Sequence, residues 1–404
     1  MDYLRRAMRF ANNGLRPGKK KLSTLMFYAT DLCDSGCKHC LIWAKRPVKH
    51  MPKAKIIEIM KSKCVSKHTT VGLEGGEFLL HPEAFEIMEW FTKNHPNFDL
   101  LSNCLKPDNL IEAVKKYPPK RLFVSLDGTK DTYLYMRGKD GYDNVLKVVQ
   151  SLHEIVPISL MFTLSPYNNF DDMEHVIEVA KKYNIDVRIG TYNDIAFFDT
   201  VEKAHETEIG TIVNSEVLSY GTVKKALEGG ILEKNQALKE LEKQEIETPK
   251  HDHTKITDTL DFKKAIPKNI QDTTENFDFL LLYDEWRKKK LNMKCRSILD
   301  SIVIHPDGNV PICQNLDVKL GNVNTNSLDN IFNSLASQEI QKTHVNGCNQ
   351  CWINFHRKYD IVMMRTMEKA LPKWLVEKIF GDYQWTDNKK VTYKQYMREN
   401  AMID

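Results

Sequence analysis

Leu22-Ser-Thr-Leu-Met-Phe-Tyr-Ala-Thr-Asp-Leu-Cys33-Asp-Ser-Gly-Cys37-Lys-His-Cys40 decides how the rest of the chain is read. Its first eight residues, 22–29, are mostly aliphatic, aromatic or β-branched and predict a strand. Cys33, Cys37 and Cys40 follow directly in the spacing C-x3-C-x2-C, which puts three thiols on one loop. Three soft ligands within eight residues suit an iron–sulfur cluster better than a disulfide, and they leave the fourth iron of a cubane without a protein sulfur. That open iron is where chemistry is expected. Zinc on the same loop needs a fourth ligand, and His39 adjoins Cys40 too closely to complete the same tetrahedron easily.

Outward from this loop the chain alternates short apolar runs with amphipathic segments. Strands are predicted over 22–29, 70–73, 98–102, 121–126, 158–164 and 187–190, and helices over 54–63, 82–94, 110–117, 142–155 and 170–182. This is a βαβ rhythm, and right-handed crossovers would curl it into an α/β partial (β/α)6 TIM-like barrel with its working loops at the strand C-termini. Five regions follow: a basic N-terminal segment over 1–21, the barrel core over 22–195, a charged helical connector over 196–285, a small cysteine-rich module over 286–356 and a helical tail over 357–404. The basic opening, with Arg5, Arg6 and Arg9 among apolar residues, predicts a short helix packing its apolar side on the body.

Composition excludes little: 58 basic against 54 acidic residues give a charge of +4 over 404 residues, too small to imply a nucleic-acid partner. Nine cysteines, no apolar stretch long enough to span a bilayer and a charged start predict reduced thiols and a cytoplasmic protein with no integral membrane segment.

Further motifs stand at the predicted strand ends. Glu74-Gly75-Gly76-Glu77 ends the second strand, Ser102-Asn103-Cys104 the third and Ser125-Leu-Asp127-Gly128 the fourth, with Tyr135-Met-Arg137-Gly138 shortly after. With the cysteine loop, this order resembles the radical S-adenosylmethionine (radical SAM) superfamily over roughly residues 22–194. The resemblance implies a [4Fe-4S] cluster on Cys33, Cys37 and Cys40, with S-adenosylmethionine bound at its open iron. It also implies cofactor contacts by Gly75, Gly76, Glu77, Ser102, Asn103, Ser125, Arg137 and, on the nucleotide side, Asn168. Arg188, Tyr192 and Asp194, near the sixth strand, are candidates to face the substrate.

A second group reads C-x17-C-x34-C-x2-C: Cys295, Cys313, Cys348 and Cys351, with a hairpin expected at Pro306-Asp-Gly308. Four thiolates close a site completely and suit either a structural zinc or a cluster. The stretch from Cys295 to Trp352 resembles the SPASM/twitch extension of radical enzymes, which implies an auxiliary [4Fe-4S] cluster; no cysteine follows Cys351, so one such cluster is expected.

The resemblance implies an oxidoreductase that reductively cleaves S-adenosylmethionine to a 5′-deoxyadenosyl radical and dehydrogenates a small alcohol or sugar-like substrate, with the auxiliary cluster as electron acceptor. A peptide or protein maturase is the alternative substrate class, and a non-catalytic iron–sulfur or zinc protein the alternative function class. A reducing partner such as flavodoxin or ferredoxin is implied, and no nucleic-acid partner.

Overall fold

Residues 2–191 and 291–380, apart from 41, 46, 166, 317 and 350, together with 279, 282, 283 and 286, are described by a computed structural model. The connector that the sequence places at 196–285 therefore lies almost wholly outside the described residues, as do Tyr192, Asp194 and the tail beyond 380.

The alternating core folds as β1 (Thr24–Thr30), α2 (Lys53–Met60), β2 (Thr70–Gly75), α3 (Ala84–Asn94), β3 (Phe98–Ser102), α4 (Pro107–Lys116), β4 (Arg121–Ser125), α5 (Lys130–Arg137), α6 (Tyr142–Leu152), β5 (Ile158–Leu164), α7 (Phe170–Tyr183) and β6 (Asp186–Thr191). A helix α1 (Asp2–Leu15) precedes them. All the strands are parallel, in the order β6-β5-β4-β3-β2-β1 and then a seventh, β7 (Ser301–Ile304), giving a curled half-barrel sheet among the described residues.

That seventh strand was not expected. Ser301–Ile304 is a four-residue run in the cysteine module, and it pairs in parallel with β1 over Thr24–Phe27. Flanked on both edges, β1 is buried along its whole length. The helix α5 was also unforeseen; Thr129 caps its start through Thr132 N, and Gly138, at φ 64°, ends it.

Period-two burial places Leu122 and Val124 under the helices, while Arg121, Phe123 and Ser125 lie half-buried on the other, concave face. The module adds an antiparallel pair, β8 (Asn309–Pro311) with β9 (Lys319–Asn322), then α8 (Leu328–Asn333), α9 (Leu335–Gly347), α10 (Asn354–Ala370) and α11 (Lys373–Phe380). Pro306-Asp-Gly308 makes a turn, with Gly308 at φ 85°, but the hairpin is the one that follows, and Cys313 sits in its loop.

The module meets both edges of the half-barrel. It supplies β7 beside β1, and at β6 Thr191 Oγ1 donates to Trp352 O at 3.0 Å and Asn354 Nδ2 to Ile189 O at 2.9 Å.

On the N-terminal helix Phe10 packs against the core, as the expected apolar face should, but Arg6 and Arg9 turn inward too. Arg6 donates to Asp300 at 2.9 Å and to Ser301 at 3.0 Å, Arg9 reaches Leu22 O and Ser66, and Met8 is exposed. The strand floor offers carboxylate and carbonyl acceptors there, so charge pairing sets the docking face.

Candidate active site

The cysteine loop leaves β1 at the C-terminal edge of the sheet and is pinned by three neighbouring strand ends. Gly76 N donates to Thr30 O at 2.7 Å and Glu77 N to Leu32 O at 2.8 Å. A Cβ on Gly75 would lie 2.4 Å from Thr30 O, and one on Gly76 2.1 Å from Leu32 O, so the paired glycines are demanded by the loop's own backbone.

Glu77 is buried and accepts from Ser102 Oγ at 2.9 Å and Asn103 N at 2.8 Å; burial lifts its carboxyl to about 7 despite those two donors. Asn103 turns its amide to Asp34 at 2.9 Å and to Cys33 Sγ at 3.8 Å. Cys104, where glycine would be usual, keeps the left-handed backbone at φ 62°.

Arg137 sits behind the loop. Its guanidinium grips the fully buried Asp127, reaches Cys37 Sγ at 3.7 Å, and its carbonyl accepts from Gly36 N at 2.9 Å. It thereby braces the cysteine loop. Asp127, unassigned from sequence although it lies in the quoted Ser-Leu-Asp-Gly, is the anchor of this arrangement; it also accepts from Thr163 N at 3.0 Å.

Asn168, the nucleotide-side candidate, is 0% exposed; its Oδ1 accepts from Ser165 N and Oγ, and its Nδ2 donates to Asp127 O and Thr163 O, so its amide ties the ends of β4 and β5 together. Asn169 is equally committed, as the capping-box residue of α7. Arg188 lies low on β6, 3.4 Å from Asp186 and over the Phe123 ring, away from the cysteine loop that follows β1. Ser125 remains half-buried on the concave face.

Two concave-face residues went unremarked. Glu74, just before the glycines, is half-buried; burial first, then the charge of Asp99, raises it to about 8. Tyr28 on β1 accepts from Gln314 Nε2 at 3.1 Å, and the same nitrogen lies 3.0 Å from Met26 Sδ. Gln314 follows Cys313 directly, so the cysteine module reaches into the half-barrel. Only adjacency to Cys313 could have signalled it.

The second cysteine group gathers from separate segments. Cys295, Cys313, Cys348 and Cys351 line one small cavity with His344, His356 and Arg357. Arg357 on α10 is fully buried and donates to Cys351 O, Met293 O and Asn349 Oδ1. Trp352, also fully buried, donates to Phe279 O and stacks on Trp286 at 5.9 Å.

These thiols are held where protons are hard to lose. Burial pushes Cys40 up to about 12, with Cys37 adding to it, and burial likewise pushes Cys313 to about 12, with Cys351 and Cys348 adding. Among the described residues no group of three or more His, Cys, Asp or Glu side chains converges on a single metal ion. Buried thiols of this kind become thiolates when they bind a cationic centre, and both donor sets suit an iron–sulfur cluster.

A parallel half-barrel with three thiols at its C-terminal edge and a four-thiol module closing it defines an iron–sulfur α/β protein. The model of the radical SAM superfamily matches residues 27–180, and that of SPASM, an iron–sulfur cluster-binding domain, matches 295–352. The chain is a member of the radical SAM superfamily with a C-terminal SPASM domain. These domains imply S-adenosylmethionine and a [4Fe-4S] cluster in the first and auxiliary iron–sulfur binding in the second.

Among solved structures, SuiB of Streptococcus suis bound to S-adenosylmethionine has a TM-score of 0.54 at 11% identity, covering 85% of this chain and 74% of that one. SuiB bound to its precursor peptide SuiA gives 0.50 at 15%, covering 82% and 69%. Native anSMEcpe with bound AdoMet and the Cp18Cys peptide gives 0.52 at 14%, covering 94% and 95%. These likenesses are of fold. No curated protein matches the chain by sequence. Among the described residues no helix is long and apolar enough to cross a membrane.

Proposed function

We propose that this radical SAM enzyme removes hydrogen from a side chain of a peptide substrate and completes a two-electron oxidation there. The observation that carries the reading is Gln314, which joins the segment of Cys313 to Tyr28 inside the half-barrel and so sets the second cysteine site beside the concave face. When bound, the first cluster supplies the electron that cleaves S-adenosylmethionine to methionine and a 5′-deoxyadenosyl radical, and the second supplies an acceptor for the electron left on the substrate.

The chain's own residues have distinct parts in this proposal. Cys33, Cys37 and Cys40 hold the first cluster; Cys295, Cys313, Cys348 and Cys351 hold the second. Gly75, Gly76, Glu77, Ser102, Asn103 and Ser125 form the cofactor side, with Arg137 fixing the loop behind it. Oxidation of a carbon bearing a hydroxyl, thiol or amine removes a hydrogen atom, then an electron and a proton. Glu74 lies on the concave face, and because burial raises the basicity of its carboxylate, its ionised form takes that proton and holds it.

A peptide is favoured by the fold neighbours: the SuiB and anSMEcpe structures hold peptides, and the likeness to anSMEcpe runs nearly end to end on both chains. A small alcohol or sugar-like substrate is the second reading, favoured by the polar pair Ser125 and Glu74 on the concave face. A flavodoxin or ferredoxin serves as electron donor in either case.

Anaerobic protein with dithionite and S-adenosylmethionine tests the reading. It should form 5′-deoxyadenosine, and a mixed peptide pool should raise the yield while a polyol pool does not. The reverse ordering installs the small-molecule substrate, and no cleavage with either pool overturns the enzyme reading.

A further inference from the structure

The opposite end of the half-barrel holds a cavity of about 670 Å³, within the usual range for a small-ligand site. It is walled by the N-terminal ends of β1 to β4, the lower part of β6, and α1. The seven residues of β1, at about 3.3 Å each, put this floor roughly 20 Å from the cysteine loop.

The lining is strongly positive. Arg6, Arg9, Lys67, Lys120, Arg121 and Arg188 face a single lining carboxylate, Asp99. Asp300 pairs with Arg6, and Asp186 lies 3.3 Å from Arg121 and 3.4 Å from Arg188. Three carboxylates against six cations leave an excess of three positive charges. Ser23 Oγ and Arg6 Nε, both buried and both on lining residues, have no hydrogen-bond partner. Arg9 is pulled below its ordinary value by burial, with Asp300 opposing and Arg6 adding. Crowded cations and orphaned donors of this kind are relieved by oxyanions, which guanidinium forks bind in pairs of hydrogen bonds.

We propose that this cavity is a binding site for a small polyvalent oxyanion, a polyphosphate or polycarboxylate, separate from the cofactor end of the barrel. Such a ligand ties α1 to the strand floor and to Tyr359 of α10, which already stacks under Arg6 at 3.6 Å. Binding to the native fold alone then stabilises it by mass action.

Calorimetric titration of the full chain with its clusters in place, using inorganic pyrophosphate and citrate as probes, reads this directly. One saturable site is expected, pyrophosphate the tighter probe for a phosphate ligand and citrate for a carboxylate one. Lys67→Ala and Lys120→Ala, both at exposed positions, should each weaken it about tenfold. Lys106→Ala, exposed just beyond β3 at the other end of the barrel, should leave affinity unchanged. Unaltered iron content and melting temperature without probe certify each variant's fold. The proposal falls if neither probe gives saturable heat, or if Lys106→Ala weakens binding as much as the floor variants do.

Discussion

The two cysteine sites solve one problem in opposite ways. The first draws its three thiols from eight consecutive residues, and the loop is fixed from outside by Gly76, Glu77, Asn103 and Arg137. The second draws four thiols from three distant segments, fixed from within by the buried Arg357 and Trp352. A local motif thus needs remote braces, whereas a dispersed one needs a packed core between its ligands. The first also lies at an open strand edge, as a site that must admit a cofactor should. The second is enclosed.

The sharpest way to break this contrast is to remove ligands from each site in turn. Cys33→Ala should abolish 5′-deoxyadenosine formation and remove about four irons per chain, while Cys348→Ala with Cys351→Ala removes a similar amount and spares cofactor binding. Iron and sulfide analysis with cofactor-binding assays checks both; a shared loss in both variants would merge the two sites into one.

Next come the two buried arginines. Arg137→Met strands Asp127 in the interior, and Arg357→Met strands three acceptors; each should cost about 3 kcal/mol in denaturant unfolding. Electron paramagnetic resonance should show the first change perturbing only the cluster at Cys37 and the second only that at Cys351.

Gly76→Ala is a smaller intrusion, about 2 kcal/mol by the scale of core overpacking, aimed at Leu32 O. Its iron loss should fall on the first site alone, and equal loss at both would show that the loop is not braced separately.

The smallest effect concerns pH. Burial and Asp99 hold the Glu74 proton up to about pH 8, so the unfolded chain ionises first, and stability falls as pH rises from about 4.5 to 8. Glu74→Gln should flatten that fall in the pH dependence of the denaturant midpoint, without altering the second site.

What was legible follows the same divide. Periodicity placed all six barrel strands, β3 and β5 at their observed bounds, because half-buried and buried runs imprint themselves locally. The cysteines declared their chemistry by spacing and residue type. Illegible were facts created by distant pairing: a four-residue strand such as Ser301–Ile304 has too few residues to show a period, and nothing in it names β1 as its neighbour. The links of Asn168 and Arg137 to Asp127 were hidden for the same reason, since nothing local in a polar residue after a strand names its distant partner.

The pairing of β1 with β7 also sets a timetable for biosynthesis. Residues 24 and 301 leave the ribosome 277 positions apart, which at about 5–20 residues per second is a delay of roughly 14 to 55 seconds. Through that interval the outer edge of β1 offers unpaired backbone groups to any passing strand. The cysteine loop that continues β1 is made early, yet the strand beneath it is completed only when the last third of the molecule arrives, so iron loaded before then is loaded onto an unfinished sheet.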